Sequence, residues 1–473
     1  FGSSIAERRC QLVAPRPTMA SSAEGEATGR PAGSPSVPES SPARKAQGRI
    51  DADREKAVLR KVWQLYSETV APLEQKSCYK HFHAPPITET EFEARPQVLL
   101  VGQYSTGKTS MVKWLTGVHS PHFDVRPQPS TDKFMAVVHG REERLIQGNA
   151  ATCLPQLPYQ GLATFGSSFL DNFQALVMPS EILRDLTFID TPGVLSGSKQ
   201  RIGRNYDFAA VCRWLAARAD LILMTFDAHK LDISDEFQEV MEGLRPHADK
   251  VRCVLNKADQ IDSTNLVRVH GALLWNVGKV LKTPEIAKVF TSSFWTEPYR
   301  YEAHKELFEE DKAAVLEELK GLPRTAVLRK MDNFAARLRR VKAHLCVVTH
   351  IRQQLPWRLT MLGNHTRVRR WVERHLPQLF EDAMRMRGLS PGDMPDFKSF
   401  QDRLQSLEHV TDLPFWDAQD VTRLDKLIEI NIPQLISEVG GVSKVSLTCT
   451  PAASSTSDRF FFRPCRKRKR MDD

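Results

Sequence analysis

The stretch Val98-Leu99-Leu100-Val101-Gly102-Gln103-Tyr104-Ser105-Thr106-Gly107-Lys108-Thr109 decides how the rest of the chain is read. Its first four residues are apolar and mostly β-favouring, the composition of a strand buried on both faces. The next eight fit GxxxxGK[ST], and after Ser110 the run Met111 to Leu115 is compatible with a helix. In that context the glycines let backbone N–H groups wrap a phosphate at a helix N-terminus. Lys108 brings a point charge to the β and γ groups, and the Thr109 hydroxyl ligates Mg²⁺. Gly102, Ser105, Thr106, Gly107, Lys108, Thr109 and Ser110 are the candidate phosphate-binding residues.

Four further short apolar runs follow, at Leu186 to Ile189, Leu221 to Phe226, Val251 to Leu255 and Val289 to Thr291. The segments between them are long enough for crossover helices, which predicts a parallel α/β sheet. Two runs end in polar motifs. Asp190-Thr191-Pro192-Gly193 places an acid where it holds Mg²⁺ through water and a glycine N–H where it senses the γ-phosphate. Asn256-Lys257-Ala258-Asp259 lies where a base would sit, because ligands of open α/β sheets bind beyond the carboxyl ends of the strands. Asn256, Lys257 and Asp259 are thus candidate base-binding residues.

Between the first two motifs, Pro127 to Asp132 is a candidate first switch whose Thr131 closes onto Mg²⁺ and the γ-phosphate. Thr131, Lys108, Asp190 and Gly193 are the candidate catalytic residues, and Thr109, Thr131 and Asp190 the candidate metal ligands. Three motifs, each after a strand and in the order of a P-loop GTPase-like domain, make coincidence untenable. Val194 stands beside Gly193, where a Ras-like enzyme keeps a water-orienting Gln. An aliphatic side chain orients no water, so slow intrinsic hydrolysis is expected, completed by a second protein surface, most simply another copy.

Five parts are expected along the 473 residues. Residues 1–50 are rich in Ser, Ala, Pro and Gly and read as disordered, with Met19-Ala20-Ser21-Ser22 resembling an ordinary start. Residues 51–95 open with an amphipathic helix to about Leu73 and belong with the helical part. Residues 96–300 form the nucleotide-binding domain. Residues 301–440 read as helices at Phe308 to Leu319, Arg324 to Gln354, Thr366 to Met386 and Asp420 to Val439. Residues 441–473 read as a disordered basic tail.

The longest apolar run is far short of the roughly 20 residues a membrane-spanning helix needs. The net charge of +9 is partly a tail property, because Arg466 to Arg470 are all basic; it permits an anionic partner and calls for no nucleic acid. The 8 cysteines form no CxxC pair, which favours a reducing compartment.

The motifs taken together resemble the EH-domain-containing family of dynamin-like ATPases. The phosphate loop carries the likeness, as do Asp190 to Gly197, Tyr206 to Val211, especially Phe226 to Phe237, Asn256 to Ile261, Gly271 to Trp275, Ser293-Phe294-Trp295 and Ser390-Pro391-Gly392-Asp393. It runs from about residue 50 to about residue 440. The resemblance implies a dynamin-type α/β domain, its mostly parallel sheet covered by helices on both faces, plus an all-helical domain. It implies an ATPase using ATP and Mg²⁺ that dimerises, oligomerises on anionic lipid membranes and remodels them in endocytic recycling. The expected place is peripheral, on endosomal or plasma membrane from the cytoplasmic side; a nuclear role for the basic tail is the lesser reading. Adenine preference comes from the family alone, since NKxD motifs usually select guanine.

By the same resemblance Trp275 sits in the apolar dimer interface, against the alternative of a core tryptophan. The membrane-binding tip falls near 356–371, with Trp357, Arg358, Leu359, Met361, Arg367, Arg369 and Arg370 as contacts; packing inside the helical bundle is the alternative for the apolar ones. The family's lysine run is missing there. The family's Lys-Pro-Phe and Asn-Pro-Phe tripeptides are also missing from Leu157 to Gly166. No DxDxDG-type calcium loop occurs from Gly440 onward, so binding of Asn-Pro-Phe peptides through an EH module is not expected. Two alternatives stand beside the leading one: a regulatory partner of full-length family members without remodelling activity of its own, and a conventional GTP switch.

Overall fold

Strand β1 (Gln97–Gly102) is buried at every position, and seven further strands assemble around it. These are β2 (Phe134–His139), β3 (Arg144–Gln147), β4 (Phe173–Met178), β5 (Thr187–Asp190), β6 (Leu221–Asp227), β7 (Val251–Asn256) and β8 (Val289–Thr291). They form one sheet in the order β3-β4-β2-β5-β1-β6-β7-β8. The computed structural model describes residues 42–118, 120–123, 133–194, 205–231, 233–282, 287–357, 365–407, 413 and 418–439.

The five runs singled out in the sequence are β1, β5, β6, β7 and β8, and these pair in parallel. Three strands were not anticipated. β2 and β4 pair in parallel with each other, but β2 lies antiparallel to β5 and β3 antiparallel to β4, so the sheet is mostly, not wholly, parallel. Each face carries its own apolar cluster. Leu99, Val101, Ile189 and Phe226 point to one; Val98, Leu100, Phe188 and Val254 point to the other, as the two-residue period of strands requires.

The helical part differs from its expected segmentation. Lys305–Gln354 is one helix of 50 residues that passes through Pro323 without a break, where two helices were expected. A proline inside a helix costs about 3 kcal/mol, and apolar side chains on both sides of Pro323 offset it: Leu319 and Leu322 are buried against the sheet, Val327 and Met331 against the N-terminal helices. The helix ends where Leu355 turns extended ahead of Pro356, the conformation a residue before proline favours.

The same helix continues into a third cluster, where Val347, Val348 and Ile351 meet Val368, Val372 and Leu376 of the helix His365–Arg387. The expected lead-in helix is present as Pro42–Leu65, followed by one π turn at Tyr66–Val70 and a short helix Ala71–Lys76. It is fastened to the long helix by a buried pair: Arg337 donates to both oxygens of Glu74 at 2.6 and 2.8 Å, and the Tyr66 hydroxyl donates to the same carboxylate at 2.9 Å. Among the described residues no helix is long and apolar enough to cross a membrane.

Candidate functional site

The end of β1 runs so close to β6 that a Cβ on Gly102 would lie 2.3 Å from Thr225 Oγ1, so only glycine fits. Gly107 is held at φ +86°, and a Cβ there would lie 2.3 Å from Asn256 Nδ2. Between these two glycines the loop turns onto the helix Lys108–Thr116. Thr106 Oγ1 donates to the Gln103 carbonyl at 2.9 Å and lies 3.0 Å from Thr225 Oγ1, which stiffens the turn from within. Lys108 is buried, and its Nζ donates to the Gly102 and Gln103 carbonyls at 3.0 Å each. Ser105 is exposed in the left-handed region at φ 64°, and Ser110 sits half-buried in the first turn of the helix.

Asp190, at the end of β5, meets this loop from the neighbouring strand. Thr109 Oγ1 donates to its Oδ2 at 2.5 Å. Its Oδ1 is buried with no hydrogen-bond partner among the described residues. Burial pushes the Asp190 carboxyl up from its ordinary value, and Lys108, the Thr109 hydroxyl and the Thr191 N–H pull against that shift. A buried carboxylate oxygen without a donor, next to a threonine hydroxyl and close to a lysine, is a hard-oxygen set that fits Mg²⁺.

Gly193 and Val194 press onto the loop. A Cβ on Gly193 would lie 2.6 Å from the Tyr104 Cα, and the Tyr104 N–H donates to the Val194 carbonyl at 2.8 Å. The Val194 side chain is 1% exposed and belongs to one of the sheet's apolar clusters. The side chain at this position packs in the apolar core, where it has no polar atom to orient a water. Thr131 and the rest of Pro127 to Asp132 lie outside the described residues, as do residues 195–204.

At the far end of the site Asn256 ties three segments together. Its Nδ2 donates to the Thr106 carbonyl at 2.9 Å, and its Oδ1 accepts from the Phe294 N–H at 2.9 Å. Lys257 stands at φ 59° and reaches across the carboxyl end of β6 to Asp227 Oδ2 at 2.6 Å, and toward Ser105 Oγ at 3.4 Å. Asp259 is 0% exposed. The Ser293 hydroxyl donates to its Oδ1, and the Arg300 N–H donates to its Oδ2 at 3.1 Å. Each Asp259 oxygen thus accepts one hydrogen bond from the chain, which orients the carboxylate and leaves each oxygen a further acceptor site on the side of a base. Sequence reasoning also passed over Thr225, which bonds Thr106 from 119 residues away, and Ser293 and Arg300, which hold Asp259 from 34 and 41 residues away; only Ser293, within the Ser293-Phe294-Trp295 likeness, left a local signal.

The surface residues divide. Trp275 is 76% exposed on the helix Ser263–Leu281, which overturns the core alternative. Val267 and Gly271 lie two turns and one turn before it on the same exposed side. Trp357 is 67% exposed, Arg367 and Arg370 are exposed, and Arg369 donates to the Leu407 carbonyl at 2.6 Å, so it ties its helix to the segment after Phe397–Gln405. Arg358, Leu359 and Met361 lie outside the described residues.

Family models match three segments in turn: an N-terminal EH-domain-containing protein model at residues 64–93, a 50S ribosome-binding GTPase model at residues 97–257, and a domain of unknown function at residues 325–436. EH domain-containing protein 1 from Homo sapiens is 42% identical over 343 residues, 72% of this chain and 64% of that protein. EH domain-containing protein 3 from Rattus norvegicus is 42% identical over 342 residues, 72% of this chain and 63% of that protein. The chain therefore spans a little under two thirds of the length of the relatives it matches. A solved structure of an oligomerised bacterial dynamin pair covers 63% of this chain and 45% of its own, at 16% identity and a TM-score of 0.35. By the sequence identity and the matched segments, this chain belongs to the EH-domain-containing protein family.

Proposed function

We propose that this protein is a dynamin-like nucleoside triphosphatase that binds ATP with Mg²⁺, pairs with a second copy and remodels anionic membranes from their surface, in the endocytic recycling its family membership implies. The observation that carries the reading is the buried Asp190 carboxylate, with Oδ1 unpaired, hydrogen-bonded to Thr109 beside Lys108. Thr109 and Asp190 would hold Mg²⁺, which when bound would neutralise phosphate charge. The chain's own groups do the rest. Lys108 would exchange its two carbonyl partners for phosphate oxygens, and the N–H groups of the loop before Lys108 would fix the triphosphate in line.

Preference for adenine over guanine is part of this proposal. It comes from the family resemblance, while Asn256-Lys257-Ala258-Asp259 itself is the pattern that usually selects guanine, so the ATP and GTP comparison below decides it. The buried Val194 leaves hydrolysis without a water-orienting side chain at that position, which supports slow turnover completed by another copy across the exposed Trp275 face. Trp357 with Arg367 and Arg370 supports surface attachment to anionic lipid, where each basic group contributes about 1 kcal/mol.

The test is co-sedimentation with phosphatidylserine vesicles, followed by ATP and GTP turnover on them. Turnover of ATP that rises with vesicles is the expected result. Protein that binds neither ATP nor vesicles ends the proposal.

A further inference from the structure

The loop that closes the base end is gripped from behind by the long helix. Its front side holds the NKxD motif: Phe294 N–H donates to Asn256, and Arg300 N–H to Asp259, at 2.9 and 3.1 Å. Its rear side is held by a turn and a half of the helix Lys305–Gln354. Tyr299 packs against Phe308 with ring centroids 5.6 Å apart, and its hydroxyl donates to Glu309 and accepts from Lys312 Nζ at 2.5 Å. The Ser292 hydroxyl donates to the Phe308 carbonyl at 3.0 Å, and the Thr291 N–H to Asp311 Oδ2 at 2.7 Å.

Lys312 is the unusual member of this contact. It is only 6% exposed, a rare setting for an ammonium group. Its Nζ also donates to Glu309 at 3.2 Å and lies 5.5 Å from the ring of Trp114. Trp114 belongs to the phosphate-loop helix and meets Phe294 edge-on at 5.2 Å. A buried ion pair is weak evidence for stability, since an apolar side chain of similar volume often serves as well or better. What the ammonium does here that an apolar group cannot is fix the Tyr299 hydroxyl.

We infer that Lys312 is a positioning residue for the nucleotide base: acting through Tyr299, it sets the loop of residues 293–301 against Asn256 and Asp259, so that base-dependent affinity depends on a side chain of the helical part while grip on the phosphates does not. The inference rests on the nucleotide reading above.

Calorimetry of the full chain with Mg²⁺ and, separately, ATP, GTP and inorganic tripolyphosphate tests it. Lys312→Met and Tyr299→Phe are each expected to weaken ATP roughly tenfold, the value of a lost charge-assisted hydrogen bond, and to leave tripolyphosphate unchanged. Lys312→Arg, which keeps the charge and a donor, is expected to restore part of the loss. ATP and tripolyphosphate weakening together, or neither weakening, overturns the inference. If Lys312→Met does not fold, Tyr299→Phe, which removes a single oxygen, decides by the same ratio. Wild-type protein that binds neither ligand overturns the nucleotide reading and this inference with it; wild-type binding with an unaltered ratio in the variants overturns the inference alone.

Discussion

At the phosphate end, Thr109 and Asp190 share a hydrogen bond, Lys108 lies beside them, and one buried carboxylate oxygen has no partner. At the base end, both Asp259 oxygens and the Asn256 amide already have partners from the chain. The first end is arranged for something not of the chain, because an unpaired buried polar atom costs about 1–3 kcal/mol until a partner satisfies it. At the second end the chain itself holds the carboxylate in place with one donor to each oxygen, and each keeps an acceptor site. Affinity should therefore come chiefly from the phosphates, and selectivity from how firmly the chain fixes the groups that face a base.

Four variants would break or sharpen that contrast. The largest effect is expected for Lys108→Ala, which removes the phosphate charge: ATP affinity by calorimetry should fall about a hundredfold or more, at the upper end for a charged hydrogen-bond network. Affinity within a few fold of wild type would show that the phosphates are not held here.

Next is Asp190→Asn. Its carboxyl has a raised pKa in the folded state, so protonation favours folding; its contribution is present at low pH and lost as pH rises through the folded-state value. Without nucleotide, urea unfolding of the wild type should therefore lose stability relative to the Asn variant as pH rises toward neutrality. The added stability that Mg²⁺ and ATP confer should vanish in the variant. Parallel pH curves would mean that the carboxylate is not strained.

A smaller effect is expected for Asp259→Asn. The Ser293 and Arg300 donors lose a charged acceptor, so unfolding free energy should drop by about 1–3 kcal/mol while the ATP to GTP ratio holds. A changed ratio with intact stability would make Asp259 a base reader after all. Trp275→Ala should change nucleotide affinity least, within error, yet lower self-association in sedimentation; an unchanged association state would place the contact between copies elsewhere.

The phosphate end was legible because its parts are contiguous: a β-rich run, a glycine loop and a helix start stand side by side from Val98 to Leu115. The base end was only half legible. Asn256 and Lys257 announce it, but Asp259 is sealed by Ser293 and Arg300, 34 and 41 residues away, and no local pattern records that. Among the strands, β3 escaped because Arg144-Leu145-Ile146-Gln147 is short and half polar at the sheet edge. The strand direction of β2 is likewise a pairing property and not a property of its apolar run. Pro323 misled for the opposite reason: a strong local breaker was outweighed by buried neighbours on both sides.

The long helix, seated in the sheet at Val315 to Leu322 and in the distal cluster at Val347 to Ile351, behaves as an unjointed rod of 50 residues, about 75 Å at 1.5 Å per residue. Geometry alone then amplifies: tilting its root by about 5° would swing its far end by roughly 6 Å, so shifts at the sheet too small to reorder a side chain would become displacements the width of a helix turn at Trp357.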